Sequence, residues 1–291
     1  MTVRPVDVVV IGCGPAGLAA AGVVAAAGHT CVAIDRMGPG GQLMNLGEIK
    51  GLAGLDANAM GPDLVASLTD KAMTAGAELA IDDVQRVTAD GDGWLVEALE
   101  ERFLATAVII ASGLLPGTTG LPSEAHYEGR GLSHCAHCDA PLYAGKPVVV
   151  AGGDTWAIEE AIELAAHASR VTLVVDGRLT ASADRLARLL GLANVTAIDG
   201  RIGDLAGSET LEHVEIRGDG PPVRVAARGL FLYTGRVPAR SFLDAALDNA
   251  GGHFWAGDVR PGSPPALAEA IADGERAGHT ASEWVTNRNA S

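Results

Sequence analysis

The stretch from Val6 to Asp35 restricts the possible folds of this chain more than any other. Val6–Ile11 is apolar but for Asp7 and ends in Gly12-Cys13-Gly14-Pro15-Ala16-Gly17. A small-residue helix over Leu18–Ala27 and a second apolar strand, Cys31–Ile34, follow and stop at Asp35. Glycines at this spacing, between a strand and a helix, form a dinucleotide-binding turn. Gly12 allows the tight bend, Gly14 lets the backbone approach a pyrophosphate, and Gly17 allows close helix packing. Asp35 stands where a carboxylate accepts a hydrogen bond from a ribose hydroxyl. The helix N-terminus adds the positive partial charge that an anion needs.

The plan is repeated further on. Pro147–Val150 is apolar and leads into Gly152-Gly153-Asp154-Thr155-Trp156-Ala157, a helix from about Ile158 and a strand Val171–Val175. Between the two units lie Ala107–Ile110, Ala111-Ser112-Gly113 and a turn-rich stretch, Leu114–Gly120; after the second come Gly229–Tyr233, Phe254–Asp258 and an Ala-rich helix from about Pro265. This pattern predicts an α/β protein of two Rossmann-like, three-layer dinucleotide-binding domains, the second inserted in the first. The expected boundaries are near Leu115 and Phe242, giving one domain of residues 1–115 and 242–291 and another of 116–241. With 291 residues, 48% of them hydrophobic, the chain can build two cores, and its 38 glycines suit tight turns and close packing.

A net charge of −15 argues against nucleic acid, which calls for clustered Lys and Arg. No apolar run reaches membrane length and no signal peptide is evident, so a cytoplasmic protein without a membrane partner is expected. Of the four cysteines, Cys13 and Cys31 fall in a turn and a buried strand and read as small core residues. Cys135-Ala136-His137-Cys138 is a spaced pair, which in such a chain reads as redox or metal chemistry. Zinc would need a second ligand pair at suitable spacing, and the sequence offers none, so no metal is expected.

Nearly the whole chain resembles the low-molecular-weight thioredoxin reductase family. The resemblance is carried by Gly12–Gly17, Gly40-Gly41-Gln42-Leu43, Ala111-Ser112-Gly113, Leu121-Pro-Ser-Glu124, Gly131–Asp139, Ile158-Glu-Glu-Ala161 and Ala256-Gly257-Asp258-Val259. It implies a homodimer with FAD on the first domain. The residues it marks for the cofactor are Gly12, Gly14, Pro15, Ala16, Gly17, Asp35, Arg36, Gly41, Gln42, Leu43, Ala111, Ser112, Gly113, Gly257, Asp258 and Ala266. It further implies that Cys138 exchanges electrons with the flavin, that Cys135 meets the substrate, and that Asp139 is the acid/base for the dithiol. His134 or His137 could favour a thiolate.

The departures from the family bear on the electron donor. The second glycine of the second turn is Asp154, Trp156 precedes Ala157, and the family's His-Arg-Arg cluster for NADPH reads Val175-Asp176-Gly177, followed by Arg178. Two like charges ~4 Å apart repel by roughly 4 kcal/mol at an effective dielectric of ~20, nearly three decades in affinity. Asp176 could in principle grip a ribose hydroxyl of NADH, but Asp154 opposes any pyrophosphate. The family's Arg-Gln is Pro265-Ala266, its Glu-Asn-Trp is Lys50-Gly51-Leu52, and Phe242–Phe254 is short for its hairpin. The reading is an FAD-dependent thiol–disulfide oxidoreductase that is not driven by NADPH, a dithiol oxidase using oxygen. The alternatives are a thioredoxin reductase driven by ferredoxin or by NAD(P)H and, from another class, a non-catalytic flavin-binding regulator. The substrate would be a small dithiol, a peptide or a thioredoxin-like protein.

Overall fold

The structure, a computed structural model, describes residues 2–45, 49, 59–177, 179–244, 251–260, 262 and 266–290. Lys50–Leu52, Arg178 and Pro265 lie outside the described residues, as does the side chain of His137. The chain divides into two units, Met1–Leu114 with Pro238–Ser291, and Leu115–Val237.

The first unit opens with β1 (Val3–Ile11), α1 (Pro15–Ala26) and β2 (Cys31–Asp35), then α2 (Gly61–Thr74), β3 (Glu78–Ile81), β4 (Val84–Asp90), β5 (Gly93–Ala98) and β6 (Arg102–Ile110). β1 starts at Val3, ahead of the apolar run, because Val3–Pro5 pair with Arg102–Leu104 of β6. α1 starts at Pro15 rather than Leu18; proline suits a first helical turn, where its missing N–H would have no partner anyway. Successive side chains of β1 alternate between two cores, Val8 and Val10 on the helix side and Val9 and Ile11 on the other. Both faces are covered, so the strand reads as continuously apolar rather than alternating.

The second unit begins with β7 (Leu114–Pro116), α3 (Glu124–Tyr127), β8 (Leu132–Ser133) and α4 (Ala136–Asp139). Next come β9 (Pro147–Ala151), α5 (Thr155–Ala165), β10 (Arg170–Val175), α6 (Ala183–Leu190) and β11 (Val195–Asp199). It closes with β12 (Arg201–Ala206), β13 (His213–Arg217), β14 (Val223–Ala226), β15 (Gly229–Leu232) and β16 (Arg236–Pro238), which pairs with β7. The parallel order is β11-β10-β9-β15-β8. α5 and α6 share a core with one face of that sheet, while β12–β14 cover the other through Ile202, Leu205, Val214 and Ile216.

The chain then completes the first unit with β17 (His253–Trp255), parallel to β6, and α7 (Leu267–Asn289). Ala239 N already donates to Gly113 O at 3.0 Å, so the return to this unit comes before Phe242. Its sheet order is β3-β2-β1-β6-β5-β4, with β17 beside β6. α1, α2 and α7 pack on one face; Trp94 and the β4–β5 pair fill the other. α7 lies against α1 at glycine distance: a Cβ at Gly274 would sit 2.1 Å from Ala16 O, and one at Gly278 2.8 Å from Ala20 O. Each unit is thus a three-layer Rossmann-like sandwich. No described helix is long and apolar enough to cross a membrane.

Candidate active site

In the first unit the glycine turn links β1 to α1. Gly12 has φ 101°, and a Cβ there would lie 2.5 Å from Ala111 O, so both backbone and space require glycine. Gly14 is a different case: nothing lies within 4 Å of where its Cβ would be. Gly14 is the N-cap of α1, no side chain caps that end, and the first turn carries no acid. Its amides are therefore available to an outside acceptor. Asp35 ends β2, where Oδ2 accepts from Cys13 N and Oδ1 from Met37 N, each at 2.9 Å.

The other predicted cofactor residues gather at the same carboxyl ends of the strands. Gly41 lies against Gly14, and Gln42 Nε2 donates to Leu114 O at 3.3 Å. Ser112, between Ala111 and Gly113 after β6, donates from Oγ to Ala239 O at 2.6 Å. Gly257 packs beside Ala16 with Asp258 following it. Between β1 and β6 the strand order reverses, and sheets of this kind take ligands at that point. Open space at Gly14, an uncapped helix end and a carboxylate after β2 fit the pyrophosphate and ribose of a dinucleotide. Arg36 is exposed beside Asp35, Ala266 is the N-cap of α7, and Leu43 is 1% exposed in the core shared with Cys13 and Ala16. Cys13 and Cys31 are buried in that core; burial raises both thiols, Cys31 to about 12.

The second unit carries the cysteine pair, joined as a disulfide with Cα atoms 5.4 Å apart. Cys135 is the N-cap of α4, and its Sγ accepts from Cys138 N at 3.1 Å. Cys138 is exposed and Cys135 half-buried. Buried Ser133 accepts from Cys135 N at 3.1 Å and fixes the entry to the turn. Ala136 N, between the sulfurs in sequence, donates to Glu160 Oε2 at 2.7 Å and to Tyr233 Oη at 3.0 Å; Tyr233 in turn donates to Glu160 Oε2 at 2.8 Å. Asp139 ends α4 near Tyr143, whose hydroxyl is pushed up by burial and by that carboxylate. His134 Nε2 lies 3.4 Å from Glu128 Oε2, so this ring faces a carboxylate.

The second glycine turn contrasts with the first. Asp154 is the N-cap of α5, which begins at Thr155 rather than Ile158, and its Oδ1 accepts from Ala157 N at 2.9 Å. Arg236 Nη2 stands 3.5 Å from Asp154 Oδ2, and its guanidinium lies over the Trp156 ring, 5.1 Å from the centroid. Thr180 N donates to Gly153 O at 2.8 Å. The expectation of a bare carboxylate facing a ligand is therefore refined: Asp154 works as a cap with an arginine partner. Asp176 is exposed beyond β10, and Gly177 N donates to Asp199 Oδ1 at 3.4 Å.

Sequence reasoning passed over Glu160, Tyr233 and Arg236. One signal for Glu160 was available. In α5 the buried stripe runs Ala157, Glu160, Ala161, Leu164, which is helical spacing, so a carboxylate sits in an apolar row. Tyr233 and Arg236 gave no such signal, since both partnerships join distant parts of the sequence.

A cystine held in a short turn of one Rossmann-like unit, in a chain whose other such unit has an open dinucleotide turn, defines a flavin disulfide oxidoreductase. The family model for pyridine nucleotide-disulphide oxidoreductases matches residues 6–274, and the chain belongs to that family. A thioredoxin reductase of Listeria monocytogenes is 32% identical over 308 residues, covering 96% of this chain and 93% of the relative. A thioredoxin reductase of Bacillus subtilis is 30% identical, with 96% and 94% covered. The crystal structure of Lactococcus lactis thioredoxin reductase superposes with a TM-score of 0.87 at 28% identity, covering 97% of this chain and 99% of that one. The enzyme is of the thioredoxin reductase-like, low-molecular-weight type.

Proposed function

We propose that this chain is an FAD-dependent dithiol oxidase: a substrate dithiol reduces the Cys135–Cys138 disulfide, oxygen is the final acceptor, and FAD would supply the electron-carrying chemistry between them. The overall balance is dithiol plus O₂ giving disulfide plus H₂O₂. Cys135 is the sulfur that meets the substrate and Cys138 the one that passes electrons on, with Asp139 receiving and returning the protons. The unit built on β1 and α1 holds FAD, and the unit carrying the cysteines is a nucleotide-binding domain that no longer serves NADPH. Bound FAD supplies the two-electron carrier. Gly14 and the first turn of α1 take its pyrophosphate and Asp35 its ribose. Substrates are a small dithiol, a peptide or a thioredoxin-like protein, and the protein works in the cytoplasm as a homodimer.

The observation that carries this reading is the self-capped turn at Asp154. A pyrophosphate there would have to displace a carboxylate from Ala157 N while lying beside its charge. Anaerobic mixing with dithiothreitol, NADPH and NADH, followed at the flavin band, tests it together with oxygen uptake. Dithiol alone is expected to bleach the flavin and to sustain oxygen consumption. Thioredoxin reduction that depends on added ferredoxin, or on NADPH, would replace the oxidase with one of those reductases.

The cofactor assignment has its own check. Because a Cβ at Gly14 would meet nothing within 4 Å beyond its neighbours in the chain, Gly14→Val should fold normally yet fill the space a pyrophosphate needs. The purified variant is expected to be colourless, with a normal far-ultraviolet circular dichroism spectrum. Full FAD content in it would refute the assignment.

A further inference from the structure

A carboxylate that is 6% exposed must have a use for its charge or find donors enough to offset its lost hydration. Glu160 accepts from distant segments: from Ala136 N of α4 at 2.7 Å and from Tyr233 Oη, just after β15, at 2.8 Å. Both end on the same oxygen, Oε2, and the amide also reaches the Tyr233 oxygen. The three groups thus form a closed triangle behind the cysteine turn. Tyr233 stays a neutral donor, since burial and then the Glu160 charge push its hydroxyl far up. The amide so held belongs to the peptide that joins Cys135 to Ala136. It is directed at a carboxylate, while Cys138 N donates to Cys135 Sγ.

We propose that Glu160, braced by Tyr233, is a positioning residue for the redox turn and that its fixed negative charge keeps the reduced cysteines protonated. This rests on the reading of Cys135 and Cys138 as the redox pair. Cys135 directly precedes the amide that Glu160 accepts from, so a thiolate there has a like charge on the far side of that amide, which raises its pKa and favours the thiol. Closing the dithiol to a disulfide therefore releases two electrons and two protons together, the electrons going to the acceptor and the protons to bases beside the turn. Among the described residues the other ionisable groups around it are Glu163 of α5, which acts electrostatically on Tyr233, Asp139 of α4, Tyr143, and His134 with Glu128. All of these are unchanged in the variants below.

Glu160→Gln keeps an acceptor for Ala136 N and removes the charge, so it separates an electrostatic role from a purely structural one. The reduced protein, freed of dithiothreitol without oxygen, is alkylated with iodoacetamide across pH, and mass spectrometry assigns each modified cysteine. Buried Cys13 and Cys31 will not compete. The more reactive of Cys135 and Cys138 is expected to titrate about one unit lower in Glu160→Gln, roughly tenfold more thiolate at neutral pH. An unshifted or raised midpoint, in a variant with normal FAD content and melting temperature, overturns the proposal. If Glu160→Gln fails to fold, Tyr233→Phe decides. Loss of one donor leaves the Glu160 charge less offset, so the midpoint is expected to rise by about half a unit, roughly threefold less thiolate at neutral pH, and no shift or a fall overturns the idea. Alkylation does not depend on turnover. Activity surviving in Cys138→Ser would remove the redox-pair reading, whereas an unshifted titration removes only this inference.

Discussion

Replacing Cys138 with serine is expected to lower dithiol turnover about a thousandfold or more while leaving FAD content unchanged. Exchange through a disulfide needs an attacking sulfur and a resolving one, and a hydroxyl can be neither at neutral pH. The fold should survive. Cys138 is exposed, and its backbone N–H, which donates to Cys135 Sγ, is unaltered. Cys135→Ser should behave alike, because a serine oxygen can take over as acceptor for Cys138 N. The sulfurs act as a unit, so the double variant should be no worse than either single one. Cys13 and Cys31 cannot substitute: both are buried, and both thiols are held far from ionisation. Turnover by purified variants with a small dithiol, beside their flavin absorbance, checks this. Substantial activity in Cys138→Ser would mean that electrons reach the flavin without the pair.

What the sequence made legible follows from how local the governing physics is. Gly12, Gly14, Gly17 and Asp35 lie within one β-α-β stretch, where turn geometry, helix packing and strand end are set by neighbours in the chain. Their positions could be read directly, as could the repeat of the plan at Pro147. The three-layer architecture was legible because strands such as Val8–Ile11 and Val148–Ala151 are apolar on both faces, which requires cover on each side. The covering layers were harder. β12–β14 and β4–β5 are half-exposed, and their mixed pattern is weaker than that of a buried parallel strand. The two closed networks were illegible as networks. Glu160 with Ala136 and Tyr233 spans residues 136 to 233, and Asp154 with Trp156 and Arg236 spans 154 to 236. Only the sheet, by setting β9 between β10 and β15, brings those segments together. A carboxylate in an apolar stripe announced that a partner must exist but not which one.

The second glycine turn gives the other large effect. Micromolar NADPH is expected to reduce the flavin slowly and without clear saturation. In the triple variant Asp154→Gly, Asp176→Arg, Gly177→Arg, NADPH affinity should rise by about two to three decades. The first substitution removes a like charge from the place of the pyrophosphate, a repulsion of at most roughly 4 kcal/mol at ~4 Å and an effective dielectric of ~20, reduced by the Arg236 partner. Losing the cap costs α5 little, since glycine is only a few tenths of a kcal/mol worse than aspartate at an N-cap. It also takes from Arg236 the carboxylate it faces at 3.5 Å, so the guanidinium over Trp156 becomes a candidate partner for a phosphate oxygen. The other two substitutions restore positive charge beyond β10, where the ribose phosphate would lie. They act on a separate part of the ligand, so the gains should roughly add. Trp156 is the remaining obstacle, and adding Trp156→Ala should help further if its ring fills the pyrophosphate position. Stopped-flow reduction of the unmodified protein and of both variants measures all of this. Bleaching of the unmodified flavin by micromolar NADPH within seconds would return the protein to the nucleotide-driven reductases.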